Sequence, residues 1–412
     1  MVAPRGGTRA RGAHRIMKRL NVLIYEPYPM GKGGGNLRTL WYILKFLDRS
    51  RFNPIVLSPE ETGFLQKFRD DGVEVIIETP PPEIHRFAGQ VLKDSPLGRI
   101  RSALALLRYN MRLARMMRGR KIDALYCNSI RAVLLAGIGA RLAGVPSLWY
   151  VKGALENRLL DRAGFVLSNR VIFFCDTNRD DSYPRTVRFF RNKIGTVRIG
   201  IDMAVIARAQ AAGKTELRRA LDIRPDRINA VILGQVYPPK GQHFVLEGLR
   251  RIVDAHPDFH LYIAGDAVLA EYEYYRAELE KIIERGSLQA HVTFTGWRTD
   301  ALELLSVMDM VIHPSLAEGF GRAVLEAMAL GKPVVASAVG GLREIIRDGE
   351  NGFLVPPGET DSLVDRINRL CADPGLRESF GREAKREVIS HYLIEDKVKQ
   401  LEGIWQEMAA DG

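Results

Sequence analysis

Two successive series of short apolar stretches, each alternating with amphipathic helical ones, set the narrowest limit on how this chain folds. In the first series, strands are expected at 20–25, 53–57, 73–77, 124–127, 147–151 and 171–174, with helical periodicity at 97–118 and 132–142 among the intervals. In the second they are expected at 230–233, 260–264, 292–295, 310–313, 333–336 and 352–355. Alternation of this kind makes parallel βαβ units with helices on both faces of each sheet. The expected fold class is α/β, two doubly wound parallel sheets facing each other across a cleft.

At 412 residues the chain exceeds one compact core. The expected parts are a basic tail (1–17), a first domain (18–205), a second domain (206–385) and a terminal helix (386–412) lying back on the first. With 46% hydrophobic residues, the chain is ordinary for a globular protein. Cys127, Cys175 and Cys371 are too scattered for a metal or disulfide framework and fit a reducing cytosol. No stretch reaches the ~20 apolar residues that span a bilayer; the nearest, 132–151, is broken by Arg141 and Pro146. The basic N-terminus has no apolar core of the kind a signal peptide carries, so a cytoplasmic protein is expected.

Residues 315–336 carry the densest chemistry. Glu318 lies in a glycine turn after an apolar strand, and Glu326 lies eight residues on, on the apolar helix that follows. A strand, a glycine turn and a helix N-terminus make an anion site. A glutamate among Val324, Leu325, Met328 and Ala329 needs donors to be buried, which ligand hydroxyls supply. The turn after the first strand of the second series, 234–241, places Lys240 where a doubly wound domain holds phosphate. Glycines 31, 33, 34 and 35 form a similar loop after the first strand of the chain, without a Walker or G-x-G-x-x-G spacing. His313, at a strand end, and His243, at a helix start, read as structural.

Several further segments occur in order: Phe294-Thr295-Gly296-Trp297, Val311-Ile312-His313-Pro314-Ser315, the Glu318-x7-Glu326 pair, and residues 331–336, 340–346 and 351–355. Together they resemble glycosyltransferase family 4, the retaining nucleotide-sugar enzymes of the GT-B fold. The likeness is dense over 231–360 and thinner over 18–200. It implies that Glu326 accepts hydrogen bonds from the ribose. It also implies that Glu318 and the backbone of Gly319, Phe320, Gly321, Arg322 and Ala323 hold the donor sugar and its phosphate. Lys240 would neutralise the diphosphate, Trp297 and Arg298 would border the base, and Gly34 and Gly35 would face the donor from the first domain. The implied donor is a UDP- or GDP-sugar, with no metal and no cofactor.

Two positions depart from the family pattern. Gln235 stands where an arginine is usual, leaving Arg322 or Arg343 as replacements for its charge. Lys152, after the strand at 147–151, stands where many members carry a histidine. The expected catalytic pair is therefore Glu318 and Lys152. A catalytically weak nucleotide-sugar binder and a GT-B epimerase are the alternatives.

The helix at 97–118 bears Arg99, Arg101, Arg108, Arg112, Arg115 and Arg118, with no acidic residue from 95 to 122. Four of these arginines fall on one arc, opposite Ala103, Leu106, Leu113 and Met117. A second basic cluster spans 185–193. A basic amphipathic helix on the acceptor-side domain implies an anionic membrane surface as partner. The acceptor then expected is a glycan or lipid-linked glycan. Nucleic acid is not expected, since no binding module accompanies the charge.

Overall fold

The computed structural model describes residues 18–27, 35–85, 95–153, 155, 157–267 and 272–411. The tail at 1–17 and the loop glycines 31, 33 and 34, Gly34 of the expected donor contacts among them, lie outside the described residues.

Two all-parallel sheets form the frame. The first contains β1 (Leu20–Tyr25), β2 (Phe52–Ser58), β3 (Glu74–Ile77), β4 (Ala124–Cys127), β5 (Ser147–Val151), β6 (Arg170–Phe173) and β7 (Ile194–Thr196). Its spatial order is β3-β2-β1-β4-β5-β6-β7. The second contains β8 (Ile228–Leu233), β9 (Phe259–Ala264), β10 (Val292–Gly296), β11 (Met310–His313), β12 (Val334–Ser337) and β13 (Phe353–Val355), in the order β10-β9-β8-β11-β12-β13. Each order reverses once, between β1 and β4 and between β8 and β11. Doubly wound sheets bind ligands at such reversals, outside the C-terminal strand ends.

The expected strands all form, because runs such as Val22-Leu23-Ile24-Tyr25 and Val334-Val335-Ala336 are fully buried between helices. β7 is an addition, since its sequence Ile-Gly-Thr carries no apolar run and is held as a strand by pairing with β6. The expected helical tract near the C-terminus is two helices, Pro374–His391 and Ile394–Asp411. The break is a crossing point. Ile201 N donates to Tyr392 O at 2.7 Å and Ile394 N donates to Ile201 O at 3.1 Å. The last helix lies on the first domain, where fully buried Trp405 meets Phe52 and Tyr126 edge-on at 5.8 Å each.

The turn after β8 and the turn after β11 press together at a glycine. Gly241 has φ +69°, and a Cβ there would lie 2.1 Å from Pro314 O. Both left-handed strain and a backbone clash oppose any side chain. Gly241→Ala is expected to lower stability by about 2–4 kcal/mol, read as a fall in Tm.

Candidate active site

The site is built from polar residues that follow strands at the two reversals. In the first sheet Glu26 follows β1, Asn128 follows β4 and Lys152 follows β5. They form a chain: the Lys152 ammonium donates to Asn128 Oδ1, and Asn128 Nδ2 donates to the Glu26 carboxylate. A carboxylate only accepts, so Glu26 fixes the Asn128 amide with its oxygen toward Lys152. Tyr126 OH donates to the same oxygen at 3.2 Å, and the Tyr150 ring lies 5.3 Å from Lys152 Nζ. Glu26 and Asn128 are almost fully buried. Burial pushes the Lys152 amine down, against the pull of Glu26 and helped by Arg322, to about 7. A substantial neutral fraction near neutrality makes this lysine a competent proton acceptor.

In the second sheet Lys240, beyond β8, meets Glu318, beyond β11. Lys240 Nζ donates to Glu318 Oε2 at 2.6 Å, and His313 Nε2 donates to the same oxygen at 2.8 Å. Gly319 N donates to Oε1 at 3.1 Å. Burial works to raise the Glu318 carboxyl, but His313 and Lys240 outweigh it and hold it well below the usual carboxylate range. His313 thus orients Glu318, the structural role expected of it. His243 is likewise held, with Nδ1 2.7 Å from the Tyr275 hydroxyl.

Behind this pair runs the helix Arg322–Ala329, with Gly321 at φ +90° as its N-cap. Glu326 is buried on it, 3.6 Å from Arg38 and 3.9 Å from Arg322. Arg322 reaches across to the first domain, donating through Nη2 to Thr39 Oγ1 at 2.7 Å and lying over the Tyr42 ring. Its Nη1 is buried without a hydrogen-bond acceptor. A buried guanidinium N–H with no acceptor, at a helix N-terminus, suits an anionic oxygen.

The domains close on each other at Gly319. A Cβ there would lie 2.7 Å from Phe174 Cζ and 3.0 Å from Lys152 O. Gly319 O accepts from Asn178 Nδ2 at 3.5 Å and from the Cys175 thiol at 3.7 Å. Phe174 and Phe320 pack with ring centroids 5.9 Å apart. Burial pushes Cys175 up to about 12, so it stays a thiol, and all three cysteines are buried and free. Beside Glu318 a cavity of about 350 Å³ opens between the domains, lined by Leu155, Asn178, Ser182, Leu316 and Arg343.

The sequence-derived residues therefore divide. Lys152, Lys240, Glu318, Glu326 and the stretch Gly319 to Ala323 occupy the two facing reversals, and Gly35 opens the helix Gly35–Phe46 that carries Arg38 and Thr39. Trp297, 47% exposed, stands beyond β10 as a free aromatic face, two strands from the reversal. Arg298 is held by Asp300 through two hydrogen bonds of 2.6–2.7 Å. Gln235 has an exposed side chain, and only its backbone oxygen is bonded, to Gln242 Nε2. Arg343 pairs with Asp181 at the rim of the cavity beside Glu318, whereas Arg322 keeps a buried N–H without an acceptor. Glu26 and Asn128 escaped the sequence reading. Their signal is a polar residue directly after an apolar strand, shared by Tyr25-Glu26, Cys127-Asn128 and Val151-Lys152. Among the described residues no group of three or more His, Cys, Asp or Glu is placed to hold a metal.

Comparison with known proteins agrees with the fold. A family model described as glycosyl transferases group 1 matches residues 213–387. The alpha-D-kanosaminyltransferase of Streptomyces kanamyceticus is 31% identical over 199 residues, 48% of this chain and 50% of that protein. The first relatives share only about half their length with the chain. An Escherichia coli UDP-Gal:alpha-D-GlcNAc-diphosphoundecaprenol alpha-1,3-galactosyltransferase is 24% identical over 313 residues, 73% of this chain and 79% of that protein. Among solved structures, Anabaena Alr3699/HepE in complex with UDP and glucose superposes with a TM-score of 0.76 at 23% identity, over 94% of this chain and all of that one. A glycosyltransferase from Rickettsia africae ESF-5 superposes at 0.81 with 16% identity, over 96% and 100%. Residues 213–387 thus match the glycosyl transferases group 1 family, within a chain that has the two-sheet fold of solved glycosyltransferases.

Proposed function

We propose that this chain is a retaining, metal-independent hexosyltransferase of glycosyltransferase family 4. It moves a sugar from a UDP- or GDP-sugar to a glycan or lipid-linked glycan of the cell envelope, at the cytoplasmic face. The observation that carries the reading is the set of fixed charges at the facing reversals. Lys240, Arg322 with its unfilled N–H, and the helix N-terminus at Gly321 converge where a departing diphosphate gathers negative charge. In the step, the bond from the sugar's anomeric carbon to the diphosphate oxygen breaks. The acceptor oxygen bonds to that carbon on the same face, and its proton passes to the neutral Lys152 amine. Glu326 accepts from the ribose hydroxyls and Glu318 holds the transferred sugar. The UDP and glucose bound by the Anabaena protein of the same fold support such a donor.

A thermal-shift panel of UDP-, GDP- and ADP-sugars tests the reading. One class is expected to raise Tm, and no response to any would overturn it. Glu326→Ala is expected to weaken the responding nucleotide about 10- to 100-fold, the worth of hydrogen bonds to a buried carboxylate. Unchanged affinity removes the ribose role. The exposed Gln235, which leaves the diphosphate one cation short, favours a second reading as a binder without turnover. Slow donor hydrolysis in the absence of acceptor separates the two: a transferase shows it and a binder does not.

A further inference from the structure

The helix Pro96–Gly119 is longer than the strands it covers. At one end Asn21 Nδ2, near the start of β1, bonds Lys121 O at 2.9 Å. In its middle, Tyr109 OH lies 3.0 Å from the hydroxyl of Tyr25, the last residue of β1, and donates to Glu78 O just past β3. The C-terminal edge of the sheet is therefore level with the middle of the helix. Allowing for side chains that lean toward the helix N-terminus, the first turns extend roughly 15 Å beyond that edge, on the side where the cleft opens.

An apolar row runs along the outward face of the helix, from this projecting part to its middle. Leu97, Ile100, Leu104, Leu107 and Met111 keep 59, 57, 48, 46 and 37% of their surface exposed. They recur at spacings of three and four, one stripe of a helix. Arg101, Arg108, Arg112 and Arg115 flank the stripe, all exposed. The buried side differs from the arc expected from the sequence: Leu113 and Met117 are buried, but Ala103 is exposed, and Ser102, Ala105, Tyr109, Asn110 and Ala114 complete the inner face. Beneath the arginines a cavity of about 430 Å³ is lined by Arg108, Arg112, Arg115, Tyr109, Pro81 and Glu83. No described helix is long and apolar enough to cross a membrane.

We propose that the outward face of this helix over residues 97–115, including the turns that project past the sheet, is a docking lip for an anionic bilayer. Its leucine–isoleucine row enters the acyl boundary, and Arg101, Arg108 and Arg115 bind headgroup phosphates, while Arg112 is held by Glu78 at 2.8 Å. An apolar row bordered by cations without acidic residues on the same helix is complementary to an anionic lipid surface and not to a neutral protein patch. Because the lip stands at the cleft edge, docking brings the mouth of the cleft to the membrane. That a lipid-linked acceptor enters there rests on the transferase reading, whereas the docking does not.

Flotation of the full chain with phosphatidylcholine vesicles, with and without phosphatidylglycerol, tests the lip. Binding is expected to the anionic vesicles alone. Leu97→Ser/Ile100→Ser/Leu104→Ser, which alters only exposed positions, is expected to lose binding by about tenfold or more. Arg101→Glu/Arg108→Glu/Arg115→Glu is expected to abolish it. Failure of the unaltered chain to float, or flotation of the serine variant at the same level, would overturn the proposal. So would light scattering that shows a dimer for the unaltered chain and a monomer for the serine variant, since the row then covers a second copy. A UDP-induced Tm shift recorded on the same samples keeps the two readings apart: its absence alongside flotation counts against the donor and leaves the lip standing.

Discussion

Replacing Lys152 with methionine is expected to lower kcat by about 10²–10⁴-fold, the usual worth of a positioned proton acceptor, while raising stability. The lysine folds against its own charge. Its amine is near 10.5 when unfolded and about 7 in place, a penalty of about 4–5 kcal/mol at low pH at ~1.4 kcal/mol per unit. Asn128 Oδ1 keeps the Tyr126 hydroxyl after the change, so the methionine variant is expected to gain roughly 1–3 kcal/mol, several degrees in Tm. The sign with pH follows from the lowered value. Below about 7 the lysine is charged in both states and the penalty is complete; it fades as pH rises from 7 toward 10.5, because only the unfolded chain then holds the extra proton. The Tm gain of the variant is therefore largest at pH 6 and small by pH 10, measured by calorimetry across that range. For the unaltered chain kcat/KM is expected to rise with pH and level off near 7, as the neutral amine forms in the free protein. Glu26→Gln, which removes the negative charge that supports the ammonium, is expected to move that rise to lower pH. A flat profile, or one that falls through 7, would remove Lys152 as the proton acceptor.

Glu318→Ala is expected to act in the opposite direction on stability. The carboxylate is shared by Lys240 and His313 in a half-buried site, and its removal leaves a half-buried lysine without a counter-charge. Breaking such a partly exposed pair costs about 2–3 kcal/mol, or roughly 5–10 °C in a domain of this size. Turnover is expected to fall at least about 10²-fold, because the same carboxylate positions the sugar in the proposed step. The stabilisation belongs to the ionised form. Since the folded carboxyl titrates well below its ordinary range, the contribution is complete above about pH 5 and is lost as pH falls further. Melting curves of the two proteins are expected to converge in acid. Glu318→Gln, which retains an acceptor for Gly319 N, is expected to recover part of the Tm but not the turnover.

The proposed donor side could be assembled from the sequence because its residues are contiguous. Glu318, the glycine turn and Glu326 lie within one strand–turn–helix unit, and local rules place them without knowledge of the rest of the chain. Lys240 required one further inference, that β8 and β11 flank the same reversal. The opposite wall was not legible in this way. Glu26, Asn128 and Lys152 come from three strands separated by long intervals, and only the order β1-β4-β5 brings them side by side. Periodicity found the arginine helix but misjudged its inner face, because it assumes that one side of a helix is uniformly covered. Here the cover is uneven within each turn: Ser102 and Ala105 are buried while Ala103 between them is exposed. Gly319 was read as a phosphate contact, while its tight approach to Phe174 depends on how the two sheets meet.

That approach limits how the protein can be engineered. Residues 213–387 match a family model as a unit, which invites their exchange for the corresponding half of a relative with another donor. The seam argues against a clean exchange. A substituted half must present a residue without a side chain beneath Phe174, an aromatic to meet it as Phe320 does, and a partner for Arg198, which Glu344 binds at 2.8 Å across the same boundary. It must also join, past residue 387, the helix Ile394–Asp411 that buries Trp405 against Phe52 and Tyr126. On the proposed transferase reading, donor specificity is therefore better grafted loop by loop, at the turns after β8, β10 and β11, than by swapping halves.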